Sequence, residues 1–484
     1  MTELDRQSGE LPNQQVVVRN RVMGKIVFGC LCFYLVTLGA TQTVYGGQFM
    51  RLRWVALAIL TGVCGANYLS RLPKLRVFHQ DATTHLAIFT YAIATAVTVV
   101  SAQNFTFSGL RWLSHIVLVI TCLLFLGETC SLKEARNFRL FVKALLLGLV
   151  VVSHFYPAPD TPYRDQTLLR GAMGDANSFG HVCALCALLM FHGALSDEIK
   201  WARVLQGVLG CVCVFLLYRS GARSSTAALL AGGIMLARFY RLWERPHLIM
   251  AAALLIAVAF IEPQFRSRSS EFILKPNQSG ADSLPSTGVF ASRSALWSGS
   301  WEAFKQRPLL GWGFGADAET PTDWAVTAAA IGMIKDVTND VCVMLEGSGI
   351  VGLGAYVMLL SFIFRRYPPS VSNAAIQSAS RLGTRLPRDL MLRLHEQRAA
   401  YSLWCSLLVL FLFDGSAFSS GSLITALFWL NAGMVRALSV GRPVGKPAPR
   451  SSLKSRHAGA ARAWSASGLV GGNEAESTRT SAKL

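Results

Sequence analysis

Four short segments hold most of the residues able to do chemistry on a charged, water-soluble group. The first runs Arg170-Gly171-Ala172-Met173-Gly174-Asp175-Ala176-Asn177-Ser178. Its glycines allow close backbone approach, Asp175 or Asn177 is placed to cap a following helix, and the free N–H groups of a helix start attract an anion. Ordinary capping, with Arg170 in solvent, accounts for the same residues. The second is Tyr218-Arg219-Ser220-Gly221-Ala222-Arg223-Ser224-Ser225. Two arginines in a tight turn suit a diphosphate, because the planar guanidinium donates bidentate hydrogen bonds and stays charged. Snorkelling to a membrane surface is the alternative, but it calls for neither the Gly-Ala pair nor the hydroxyls.

In the third segment, which opens with Ser292-Arg293-Ser294, Leu296, Trp297, Trp301 and Phe304 have helical spacing, and Pro308-Leu309-Leu310-Gly311-Trp312-Gly313-Phe314-Gly315 then forces a turn. Such a helix lies along a surface, and aromatic residues such as Trp297 and Trp312 beside glycines suit sugar rings. A purely structural loop helix is the other reading. The fourth is Asp336-Val337-Thr338-Asn339-Asp340, followed by Glu346-Gly347-Ser348-Gly349-Ile350-Val351-Gly352. Carboxylates at the end of a membrane helix are costly unless paired or functional. Arg219, Arg223 and Arg293 are the obvious partners.

The elements that carry these segments are apolar. Of the 484 residues, 52% are hydrophobic and 15% charged, against about 25% charged in soluble domains. Stretches near the ~20 residues that cross a bilayer fall at 24–43, 54–70, 85–102, 110–127, 139–156, 177–195, 204–218, 225–240, 247–261, 339–364, 401–417 and 419–438. The expected fold is therefore an all-α polytopic membrane protein of about 12 transmembrane helices. Its one large loop, 262–338, falls between helices 9 and 10. A cytoplasmic segment 1–24 precedes helices 1–9 (25–261), and helices 10–12 (339–438) enclose a cytoplasmic loop at 365–400. A short amphipathic helix is expected near Leu382–Leu394. A basic, disordered cytoplasmic tail fills 439–484.

The positive-inside rule orients this frame. Cytoplasmic termini place Arg71, Lys74, Arg76, Lys133, Arg136, Arg139, Lys200, Arg203, Arg238 and Arg241 inside, with Arg51 and Arg53 the main exceptions. All four chemical segments then share the outer face. The same distribution explains the net charge of +19 as loop topology, so no nucleic-acid partner is expected. Most of the eleven cysteines lie within apolar stretches and none in 262–337, so no disulfide framework is expected, and Cys183-x-x-Cys186 reads as helix packing.

In this order and on one face, the segments resemble the O-antigen ligase and polymerase family of bacterial envelope enzymes. The matching residues are Arg170 with Asn177, the Arg219-Ser220-Gly221-Ala222 turn, Arg293 with Trp297 leading to Pro308-Leu309-Leu310-Gly311-Trp312-Gly313, and Asn339 before Gly349-Ile350-Val351-Gly352. The resemblance covers roughly 164–364. It implies metal-independent glycosyl transfer, without a cofactor, at the periplasmic face of the inner membrane. Donor and acceptor would be glycans on undecaprenyl diphosphate, with membrane lipids and a chain-length regulator or export protein as further partners. Arg219 and Arg293 would be catalytic with Asp336 or Asp340 as base, and Arg170, Asn177, Arg223, Trp297, Trp312 and Asn339 would bind substrate. The family usually has histidine where this chain has Thr338. The change favours a repeat-unit polymerase over a ligase, with a flippase as a rival of another class.

Overall fold

A computed structural model describes residues 11–43, 49, 51–71, 82–156, 169, 171–173, 176–244, 291–315, 340–366, 388–414 and 422–439. The helices are α1 (Leu11–Thr41), α2 (Leu52–Arg71), α3 (Ala82–Val100), α4 (Phe105–Thr129), α5 (Leu132–Phe155) and α6 (Ala176–Ser196). They continue as α7 (Lys200–Ser220), α8 (Arg223–Tyr240), α9 (Ala291–Gln306), α10 (Asp340–Arg366), α11 (Arg388–Asp414) and α12 (Leu423–Ser439). Among the described residues there is no strand, and eight helices are long and apolar enough to cross a membrane. The expected ninth span at 247–261, the tail from 440 and most of the 262–338 loop lie outside the described residues.

Local chemistry sets several boundaries. Ser131 opens α5 with a reciprocal capping box to Glu134, which satisfies two otherwise orphan backbone donors. Asn104 caps α4 by accepting from Phe107 N–H at 3.1 Å. Gly221 ends α7 at φ 68°, a left-handed conformation that costs glycine little. Part of α4, Ile120–Leu126, is π-helical. There α12 crosses so closely that a Cβ on Gly433 would sit 2.2 Å from the Cys122 carbonyl oxygen.

Lipid gives helices little hydrophobic reason to associate, so small residues that let backbones approach do much of the work. Helix α6 illustrates this. It is buried along most of its length, Cys183, Ala184, Cys186 and Ala187 included, and packs against α5, α7, α8 and α11. Helix α7 instead exposes Val204, Leu205, Val208, Val212 and Phe215, a face that lipid solvates without cost. The amphipathic helix expected near Leu382–Leu394 lies partly outside the described residues; from Arg388 on it is helical and runs without a break into the eleventh span as α11. Polar groups in its first turns explain the continuity, because they are anchored rather than solvated.

Those anchors define one end of the bundle. Arg139 of α5 grips Glu396 of α11 through two hydrogen bonds of 2.6 and 2.8 Å. Tyr240, closing α8, meets His395 at 3.0 Å and His192 of α6 at 3.2 Å. Arg436 of α12 pairs with Glu128 of α4 at 2.6 Å, and His85 of α3 approaches the same carboxylate at 3.4 Å. The other ends of these helices therefore gather at the opposite end, where the described parts of the four chemical segments lie.

Candidate functional site

Two of the four segments join at the start of α6. The Leu169 N–H donates to the Arg219 carbonyl at 3.2 Å. The turn between α7 and α8 presses onto Gly180, where a Cβ would lie 2.3 Å from the Ala222 Cβ and 3.0 Å from the Ser220 and Ser225 hydroxyls. Gly171, at φ 63°, meets the Ser153 backbone in the same way. Only residues without a side chain permit these approaches, so Gly171 and Gly180 set the distance between the first segment and the second.

The turn presents a distinctive set of groups. The Arg219 side chain is exposed and makes no hydrogen bond or ion pair among the described residues, whereas Arg223 is half-buried. Ser224 and Ser225 are buried, and neither hydroxyl has a partner there. They occupy the first turn of α8, whose cap residue Ala222 offers no side-chain acceptor. Orphan helix N–H groups carry partial positive charge, and a buried unpartnered hydroxyl costs about 1–3 kcal/mol. An anion at this turn would meet the Arg219 guanidinium and the first-turn N–H groups of α8. Asn177 lies exposed in the first turn of the adjoining α6. Arg170 lies outside the described residues.

The third and fourth segments also join, by a backbone zipper. Helix α10 is broken at Gly349, with φ 61° and ψ −162°. The Trp312 and Gly313 N–H groups donate to the carbonyls of Glu346 and Gly347 at 2.9 and 2.7 Å. Across the break, the Ile350 and Val351 N–H groups donate to Pro308 and Leu309 at 2.9 and 3.2 Å. The loop therefore fills the hydrogen-bonding gap that a broken membrane helix opens. It also rests on the end of α3, where the Ser101 hydroxyl donates to the Leu310 carbonyl at 3.3 Å and Thr98 to Ser348 at 3.4 Å.

Within this joint Trp312 is 8% exposed, and its Nε1–H donates to the Ala303 carbonyl at 3.0 Å. The indole expected to face sugar is thus packed against α9, while Trp297 is half-buried and Trp301 exposed. Arg293 lies in α9 and Asp340 begins α10, with only their backbones described; Asp336, Thr338 and Asn339 lie outside the described residues. Glu346 was missed as a site candidate from sequence. It is fully buried, three residues before the break. The signal was present: a carboxylate inside an apolar stretch is costly enough to need a role.

The two joints belong to one helix cluster, since α11 packs against α6 and α8 as well as α10. Among the described residues no group of histidine, cysteine and carboxylate side chains has the makings of a metal site. No curated protein matches the chain. Residues 208–357, which include the arginine turn, the docked loop and the break in α10, match the family model described as O-antigen ligase; over that stretch the chain is similar to the O-antigen ligase/polymerase family of membrane enzymes, which act on lipid-linked glycans.

Proposed function

We propose that the protein polymerises oligosaccharide repeat units carried on a polyprenyl diphosphate, at the periplasmic face of the bacterial inner membrane. The observation that carries this reading is the Arg219 turn: an exposed guanidinium that, among the described residues, has no side-chain partner, beside a helix start where the Ser224 and Ser225 hydroxyls have none there either. The diphosphate of the donor is the leaving group. As the acceptor oxygen bonds to the anomeric carbon, the bond from that carbon to the phosphate oxygen breaks, and the lipid diphosphate departs with the electron pair. Arg219, assisted by Arg223 and Arg293, holds this group and offsets the growing charge. The acceptor hydroxyl gives its proton to a carboxylate, for which Asp336 and Asp340 are the candidates. Arg170, Asn177 and Asn339 bind the glycans.

Removing one preorganised donor of this kind costs about 10²–10³ in kcat. Arg219→Ala should therefore abolish polymer while leaving protein level and thermal stability intact, because the side chain is exposed. Long polymer in normal amount from that variant would sink the leaving-group role. The ligase reading, transfer of finished glycan to another acceptor, keeps the same donor chemistry and has the family description in its favour. Thr338, where the family usually has histidine, weighs toward polymerase. Thr338→Ala should then change little.

A further inference from the structure

A transfer between two lipid-linked glycans involves two diphosphates. One leaves with the donor's carrier; the other stays on the acceptor throughout. The arginine turn between α7 and α8 accounts for the first. We propose that Arg307, with the loop it clamps, forms a second and separate anion site that holds the acceptor's diphosphate. This rests on the polymerase reading above and deepens it.

Arg307 directly precedes the docked loop and is exposed. Its guanidinium lies 4.0 Å from the centroid of the Trp312 ring, and its Nη1 donates to the Ser101 carbonyl at 2.9 Å. Stacking and a single hydrogen bond thus fix the plane of the fork. The other N–H groups have no partner among the described residues, and no carboxylate there faces them. A guanidinium carries five N–H donors, so an edge suited to bidentate phosphate binding is left open and already oriented. Surface arginines are usually mobile; this one has already lost the freedom that binding would otherwise have to remove.

The surroundings fit the same ligand. At the far end of the loop a second arginine braces the chain: the Arg111 guanidinium lies 4.3 Å from the Phe107 ring centroid, and its Nη1 donates to the Gly315 carbonyl. Leu309, two residues after Arg307, and Trp301 of α9 are 66% and 52% exposed. They offer apolar surface to the first part of a prenyl chain while Arg307 meets its headgroup. Trp312 is then the support of the anion site, which gives the buried indole a function other than stacking on sugar.

The test uses the full chain in nanodiscs of phosphatidylcholine alone, which removes anionic phospholipid as a competing source of phosphate. One lipid-linked repeat unit has its accepting hydroxyl removed, so that it serves only as donor; an unmodified unit serves as acceptor. Arg307→Gln should raise the KM for acceptor at least tenfold and leave that for donor within twofold. Arg307→Lys should recover part of the loss, because it keeps the charge. Inorganic diphosphate should compete with acceptor in the wild type and do so less well in the Gln variant. An unchanged acceptor KM, or an equal rise for both substrates, would overturn the assignment. So would a fall in kcat with neither KM moved, the mark of a loosened loop. Absence of any product from the wild type with this substrate pair would instead remove the polymerase reading itself. An effect of Arg307→Gln seen only after anionic phospholipid is added would assign the site to membrane headgroups and refute the acceptor role.

Discussion

Replacing Gly349 with alanine should disable the protein without unfolding the bundle. At φ 61° and ψ −162°, Gly349 lies in a region that is essentially glycine's alone, where strain for another residue is about 1–3 kcal/mol. A Cβ would also fall 2.3 Å from the Leu309 carbonyl oxygen and 2.5 Å from its carbon. Both obstacles are backbone, so no side-chain rotation relieves them. The joint must open, and the four hydrogen bonds that close it are together worth about 4 kcal/mol, at roughly 1 kcal/mol each. Straining or losing them should release the loop. Two assays would report this: polymer length in a deletion strain carrying the variant, and protease sensitivity of the 307–315 segment. Polymer should disappear and cleavage accelerate. Gly354→Ala is the matched control, because a Cβ there meets nothing within 4 Å and alanine is the better helix former by about 1 kcal/mol. Normal polymer and an uncleaved loop in the Gly349 variant would refute the argument that the zipper positions the site.

Further outcomes follow from other parts of the molecule. Gly180→Val should push the arginine turn away from α6, because even its Cβ would lie 2.3 Å from Ala222; polymer should fall sharply, and full activity would show that the turn need not seat there. Glu396→Ala should lower stability by about 3 kcal/mol, the usual loss on breaking a buried pair, since its side chain is 3% exposed and holds Arg139. An unchanged melting temperature in detergent would contradict that role. A reporter fused at position 285 should give a periplasmic signal; a cytoplasmic one would reverse the assignment of faces.

Much of the helical frame was legible because crossing a bilayer constrains length and polarity so tightly. The expected stretches 177–195 and 225–240 became Ala176–Ser196 and Arg223–Tyr240, differing mainly by caps that hydropathy does not see. Sequence alone does not show why α11 runs unbroken through the polar pair Glu396 and His395. In the structure they are tied to Arg139 and Tyr240, more than 150 residues away. Arg139 itself was read only as a topological charge. The same blindness to distance hid the zipper. Pro308 to Gly315 and Glu346 to Val351 were each noticed, yet nothing local says that four backbone hydrogen bonds join them. By contrast, the glycines of the first segment pointed to close approach, and at Gly171 a Cβ would lie 2.1 Å from the Ser153 carbonyl oxygen.

The most direct measurement is the size distribution of lipid-linked glycan in a strain lacking this protein. The account predicts single repeat units accumulating on the carrier at the periplasmic face, with long polymer restored by the wild-type chain and not by Arg219→Ala. Full-length polymer held on the carrier and never handed on would contradict it and make the protein a ligase. Units confined to the cytoplasmic face would make it a flippase.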